Sequence, residues 1–291
     1  MIQARVLRDS YCNVEDKYHR LTTMEVTFPR FILAELNTHR MFSRNTASSR
    51  AIPTRKLIER VRDSPFVFAR WLQNESGMSA TEELPDHAQV MATSLWCEAA
   101  RRAASSAQYL LDTGVHKQQV NRLLEPFLYV TAIVSATEWE NFFNLRSTDR
   151  NPDCGAQPEM SALANSMLRA YNASHPECLS EGEWHLPLTE DLPDSFDRGR
   201  LFEISDGVSV PAACLVSAGR CARVSYLSHD KDRPVSHDIE LALRLLSNRH
   251  LSPFEHIATP SVDPDADTGN FLGWLQLRKR IPGERGTNVY C

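Results

Sequence analysis

The chain predicts an α+β fold with more helix than sheet, and two kinds of segment carry that expectation. Residues 21–28 place Thr, Val and Phe at the alternating period of a strand, whereas 87–111, 157–171 and 235–249 carry apolar residues at helical spacing. Proline and glycine punctuate the stretches between them, and there is no internal repeat or low-complexity tract.

Taken in order, the strand at 21–28 ends at Pro29, and 31–37 begins a helix. Thr54 reads as the N-cap of a helix running to about 73. Residues 77–86 are polar, carry a proline and read as a loop. The helix at 87–111 has apolar positions at Val90, Met91, Leu95, Ala99, Ala103 and Ala107, with Gly114 as its C-terminal stop. Residues 115–145 read as a second long helical region, bent or broken near Pro126. A loop at 147–155 precedes the helix at 157–171. Residues 175–207, rich in Pro, Asp and Glu, form an irregular excursion with room for short strands. Helices at 210–226 and 235–249 follow, and 269–277 reads as a final strand or short helix. All of this fits one domain spanning 1–291, since a chain of this length buries a sizeable core unaided.

Composition narrows the function classes. The formal charge of −5 argues against a general nucleic-acid binder, although it leaves room for a local basic pocket. The seven cysteines are scattered and none pair as CxxC, which suggests reduced thiols and no zinc ribbon. The start lacks a signal-peptide pattern and no apolar run is long enough to span a bilayer. A soluble cytoplasmic protein is expected.

Two remote motifs carry the chemistry. Residues 38–50 read THRMFSRNTASSR, with His39, three arginines (Arg40, Arg44, Arg50), Asn45 and several hydroxyls. That set suits a polyanionic ligand, because guanidiniums grip phosphate bidentately and hydroxyls complete the cradle. Residues 250–256 read HLSPFEH and put Glu255 between two imidazoles on a proline-constrained turn. Ser252, Pro253 and Glu255 also match a capping box at a helix start. His250, Glu255 and His256 lack the HExxH spacing and a clear third ligand, so no metal is expected.

His39, Arg40, Ser43, Asn45, Ser48 and Arg50 together resemble the signature of the flavin-dependent thymidylate synthases, in which Arg-His-Arg is followed by Ser, Asn, Ser and Arg. Further blocks agree. Asn121-Arg122-Leu-Leu-Glu-Pro126 is similar to the family's Ala-Arg-x-x-Leu-Pro. Asn141-Phe-Phe-Asn-Leu-Arg146, then Ala156-Gln157-Pro-Glu159, is similar to Asn-Phe-x-x-Leu-Arg…Ala-Gln-x-Glu. Ala222-Arg-Val-Ser225-Tyr and HLSPFEH resemble two flavin-binding blocks that usually precede the arginine motif. Here they follow it, so the resemblance implies a circularly permuted, helix-rich α+β fold with a small antiparallel or mixed sheet.

The resemblance also implies an activity: reductive methylation of a uracil nucleotide at carbon 5, dUMP to dTMP foremost, with FAD, methylenetetrahydrofolate as carbon donor and NADPH as reductant. It implies that Arg146 and His250 are catalytic, and that His39, Arg40, Asn45, Asn141, Ser225, Ser252 and Glu255 hold FAD. Glu35, Ser48, Ser49, Arg50, Arg122 and Arg146 would bind the nucleotide, with sites shared between subunits of a homotetramer. No cysteine nucleophile is required. Thr38, Thr46 and Ser49 depart from the family's Arg, acidic residue and Gly, and Glu35 replaces a glutamine. Those departures keep three alternatives open: the same reaction on UMP for a modified nucleoside, a hydroxymethyl product, or a non-catalytic nucleotide-binding protein.

Overall fold

The computed structural model describes residues 1–14, 16–77, 79–205, 207–224, 234–261, 263 and 268–282. Two long strands, β1 (Gln3–Val14) and β2 (Lys17–Pro29), open the chain as an antiparallel hairpin. A 3₁₀ turn (Arg30–Ile32) and the one-turn α1 (Leu33–Leu36) lead to β3 (Ser43–Thr46). Next come α2 (Thr54–Asp63), the long α3 (Asp86–Asp112), α4 (Lys117–Val120) and a 3₁₀ segment (Asn121–Phe127). Strand β4 (Tyr129–Ala136), α5 (Glu140–Arg146) and α6 (Pro158–Ala173) complete the first half. The second half supplies β5 (Glu177–Cys178), β6 (Leu201–Ser205), β7 (Val208–Pro211), α7 (Ala212–Arg223), α8 (Val235–Ser247), a 3₁₀ turn (Ser252–His256), β8 (Ala258–Pro260) and β9 (Trp274–Gln276).

The main sheet runs β3-β4-β2-β1-β5, antiparallel except for the short β1–β5 pairing. It is the small mixed sheet of an α+β chain. Register makes its two faces chemically different, since alternate residues point opposite ways. Met24, Val26 and Phe28 of β2 and Val130, Ala132 and Val134 of β4 point to one face, where they pack under α5 and α6 against Phe142, Phe143, Met160 and Leu163. The opposite parity gives Ser10, Thr23, Ser135, Ser43 and Asn45, all buried. The chain's second half covers that hydroxyl-rich face.

Several expectations need correction. The region 115–145 is not a long helix. Its middle is β4, whose Val, Ile and Ala residues are buried on both faces, so they lack the alternation that marks a half-exposed strand. The helix from Thr54 stops at Asp63, ahead of Pro65, because the residue before a proline disfavours the helical region. Thr54 is its first helical residue and Pro53 precedes it as the cap. Strand β1 was not expected at all. Its polar residues hide it, and Asp9 is accounted for by Arg20 across the hairpin, with Nη2 donating to Oδ2 at 2.6 Å. On α3 the buried row is Ala100, Ala104 and Ala107, while Val90, Met91 and Leu95 are exposed. Small side chains there let α2 and the 3₁₀ segment Asn121–Phe127 approach closely.

Helices α7 and α8 meet at Gly219, where a Cβ would stand 2.2 Å from the Asp238 backbone oxygen. Asp238 is itself buried and ion-paired with Arg220 and Arg223, so neither helix can step aside cheaply. Gly219→Ala is expected to cost ~2 kcal/mol or more through overpacking. Denaturant unfolding of the variant measures it, and an unchanged midpoint would mean the two helices can separate.

Candidate active site

The two remote motifs meet. The 3₁₀ turn Ser252–His256 packs on β3. Gln276 on β9 joins them, its Nε2 donating to Ser43 Oγ at 3.0 Å and to the Glu255 carbonyl at 3.1 Å. Asn270 adds a second tie by donating to the Met41 carbonyl at 2.9 Å. Arg44 links the charges. Its half-buried guanidinium donates to the Leu36 and His39 carbonyls at 3.2 and 2.9 Å. Burial lowers its pKa, and the Glu255 carboxylate opposes that shift. Glu255 also forms an ion pair with Arg278.

His39 and Arg146 stand beside this cluster. Arg146 is the last residue of α5, and its Nε donates to His39 Nε2 at 3.4 Å. The His39 ring sits edge-on to Phe142, with centroids 4.9 Å apart. Burial, then Arg146, then Arg44 lower the His39 pKa to about 4. At neutral pH His39 is therefore an uncharged acceptor at Nε2, and its ring proton lies on Nδ1. Arg146 and Arg44 both act on His39, and Arg278 is paired with Glu255, so guanidiniums gather at this spot of a net acidic chain.

A second group gathers the residues expected to hold the nucleotide. Glu125 Oε1 accepts from Ser49 Oγ at 2.5 Å and Arg122 Nη1 at 2.8 Å, and is ion-paired with Arg30 Nε at 3.1 Å. Arg50 is exposed on the adjoining loop, and Ser48 is half-buried there. Asn121 is buried and donates to the Ser49 and Ile52 carbonyls at 2.6 and 3.0 Å, which fixes the loop's path. Neither Arg30 nor Glu125 was singled out from sequence. The only signal available was Glu125 standing where the family carries leucine.

The remaining expected residues are spread more widely. Arg40, Asn141, His250 and Ser252 are exposed, and Glu35 is half-buried on α1. The Thr38 hydroxyl donates to the Glu35 carbonyl at 2.7 Å, closing the turn after α1. Ser252 is not an N-cap: the turn starts after Leu251 and has no side-chain cap bond. Ser225 lies outside the described residues. Arg223, from the same block, is engaged in its ion pair with Asp238. A cleft of ≈ 680 Å³ lined by Phe66, Tyr129, Glu159 and Ser161 contains none of the His39, Arg146 or Glu255 side chains.

Asn45 tests whether a cofactor fits. It sits on the hydroxyl-rich face, 5% exposed, and its Nδ2 finds no acceptor among the described residues. A buried amide donor left this way costs about 1–3 kcal/mol unless an acceptor arrives. Flavin carbonyls and phosphates are acceptors, so the residues present fit such a group. A buried chain runs across the same face. Ser10 Oγ meets His185 Nδ1 (3.0 Å), His185 Nε2 meets Thr23 Oγ1 (2.8 Å), Thr23 meets Ser135 Oγ (2.6 Å), and Ser135 meets His256 Nδ1 (2.8 Å).

The buried thiols are poor nucleophiles. Burial pushes Cys12 up to about 11 and raises Cys214 and Cys221 as well. Replacing each cysteine by alanine should leave turnover within about twofold, since core-packing thiols affect stability and not chemistry. An inactive variant that remains folded would contradict this.

The sequence profile described as thymidylate synthase complementing protein matches residues 18–177, more than half of the chain. The chain belongs to the thymidylate synthase complementing protein family. These are the flavin-dependent thymidylate synthases, so the protein is a methyltransferase of that kind. The matched stretch contains His39, Asn45, Arg50, Arg122 and Arg146, while 222–226 and 250–256 fall beyond it. No curated protein matches the chain. Among solved structures, a UMP/dUMP methylase PolB from Streptomyces cacaoi bound with 5-Br UMP is similar at 17% identity and a TM-score of 0.48, covering 59% of this chain and 88% of that one. The same enzyme bound with 5-Br dUMP gives 18% identity and a TM-score of 0.46, covering 59% and 90%.

Proposed function

We propose that this member of the thymidylate synthase complementing protein family methylates carbon 5 of a uracil nucleotide, converting dUMP to dTMP, with FAD as cofactor, methylenetetrahydrofolate as carbon donor and NADPH as reductant. The observation that carries the reading is the closure of the two remote motifs on one cluster around Arg44. The packing of Ser252–His256 on β3 also supports a circular permutation: the family's blocks adjoin in space although their order in the chain is changed.

His39, Arg40, Asn45, Asn141, Ser252 and Glu255 would hold FAD, with Ser225. When bound, the reduced flavin supplies the hydride. Arg146 would face a pyrimidine carbonyl and stabilise the negative charge that develops there. A neutral His39 suits that task, because it orients the Arg146 guanidinium without adding a competing cation. His250, exposed between α8 and the 3₁₀ turn Ser252–His256, would serve near the flavin and folate. Ser48, Ser49, Arg50 and Arg122 would take the phosphate and sugar, with Glu35 nearby. The exposed Val90, Met91 and Leu95 row on α3 supports a homotetramer. The free cysteines among the described residues agree with a cytoplasmic setting, and no helix among those residues is long and apolar enough to cross a membrane.

Purified protein tests the reading. It should be yellow or take up FAD, and dUMP with methylenetetrahydrofolate and a reductant should gain a methyl group by product mass. Protein that takes up no flavin and leaves dUMP unchanged would overturn it. Faster turnover of UMP, or a hydroxymethyl product, would reassign the substrate or the product.

A further inference from the structure

Three groups converge on one oxygen. Glu125 Oε1 accepts hydrogen bonds from Ser49 Oγ (2.5 Å) and Arg122 Nη1 (2.8 Å), and Arg30 Nε is ion-paired with it at 3.1 Å. A negative oxygen held by two guanidiniums and a hydroxyl is the setting that a phosphate oxygen requires. Two of the three groups, Ser49 and Arg122, are the residues proposed above to take the nucleotide.

The groups differ in freedom. The Arg30 side chain is 16% exposed, and its Nη1 is fixed on the Ala47 carbonyl at 3.2 Å. The Arg122 side chain is 53% exposed and sits on the same 3₁₀ segment as Glu125, with solvent beside it to turn into once the carboxylate releases it. Glu125 is itself 23% exposed, so an incoming anion can reach the cluster. Ser49 is 2% exposed, so its hydroxyl can re-aim only by turning about its own Cα–Cβ bond. Arg30 is therefore the fixed half of the arrangement, and Arg122, with that hydroxyl, is the half that can exchange.

We propose that Glu125 is a built-in stand-in for the substrate phosphate: its carboxylate holds Ser49 and Arg122 in the free protein, yields them when a phosphate arrives, and stays on Arg30. This rests on the uracil-nucleotide reading of the site. The device has two consequences. It keeps the donors ordered without ligand, which reduces the side-chain entropy lost on binding. It also makes entry depend on charge, because a nucleoside without phosphate cannot replace the carboxylate on those donors, whereas a phosphate dianion can. Glu125 thereby sets how strongly the site prefers a phosphorylated ligand, and it lowers the affinity for that ligand by competing with it.

Titration calorimetry of the whole protein with inorganic phosphate, dUMP and deoxyuridine separates the possibilities. Glu125→Gln should tighten inorganic phosphate and dUMP by about tenfold, the order of one charge-assisted contact, and leave deoxyuridine unchanged. Because that variant leaves Arg30 without its carboxylate, the double variant Arg30→Gln/Glu125→Gln is measured alongside. It removes the fixed half, still frees Ser49 and Arg122, and should show the same gain. Unchanged or weaker phosphate binding by a folded variant overturns the proposal and makes Glu125 a permanent brace. If the wild-type protein binds inorganic phosphate but no uracil nucleotide, the functional reading fails, and the phosphate arm still decides the role of Glu125.

Discussion

Arg146→Ala is expected to lower kcat about a thousandfold, the loss seen when one donor aimed at a developing oxyanion is removed. The geometry explains why the effect should fall on chemistry more than on folding. Arg146 ends α5 half-exposed, its bond to His39 is long at 3.4 Å, and it has no carboxylate partner among the described residues. The apolar core of that helix is carried by Phe142 and Phe143, so the unfolding midpoint should barely move. Arg146→Lys keeps the charge but loses the planar fork, and it should recover only a small part of the rate. A second readout does not depend on turnover. The Arg146 charge is one of the causes that hold the His39 pKa near 4, so in Arg146→Ala the His39 ring should titrate at a higher pH by NMR. Full activity with an unmoved His39 pKa would remove Arg146 from the site altogether.

What could be read from sequence was the identity of the motifs and their need to meet. What could not be read was how individual side chains divide the work. The three arginines of THRMFSRNTASSR look alike as letters, yet Arg44 caps the Leu36 and His39 carbonyls while Arg40 and Arg50 face solvent. Ser43 looks like a ligand-binding hydroxyl, but it accepts from Gln276 and ties down the C-terminal segment. Arg30 and Glu125 gain their meaning only through a contact between distant parts of the chain, for which no local spacing gives a signal. Helices with clear periodicity, such as α3, α6 and α8, emerged near their expected bounds. Strand β4 did not, because burial on both faces erases the pattern that separates strand from helix. His185 shows the limit most clearly: a lone histidine in a Pro-rich excursion becomes the centre of a buried chain only when β1, β2 and β4 are assembled around it.

That buried chain makes the protein acid-sensitive. His256 is fully buried, and burial lowers its pKa to about 3, while His185 is lowered well below the usual range by burial first, then by Arg8 and His256. In the unfolded chain both rings take a proton near pH 6.5. The folded pKa values lie below the unfolded ones, so the unfolded state binds more protons as the pH falls. The stabilising contribution is present above about pH 6.5 and is lost on the way down toward pH 3. For His256 alone the loss between pH 6 and pH 4 is about 2–3 kcal/mol. That is a large share of the 5–15 kcal/mol typical of a folded domain. His185 and the half-buried His39 add in the same direction. Replacing the imidazole removes its titration: His256→Gln should start less stable at neutral pH, because Ser135 loses its imidazole partner, but should fall less steeply between pH 6 and pH 4 than the wild type. Carboxylates contribute to both profiles alike, so the difference in slope isolates the histidine. Parallel profiles would mean that His256 is already open to water. The proximity of Glu255 to His256 on the same 3₁₀ turn then gives a functional corollary: acid that protonates His256 should release this turn from β4, and flavin should dissociate before the whole protein unfolds.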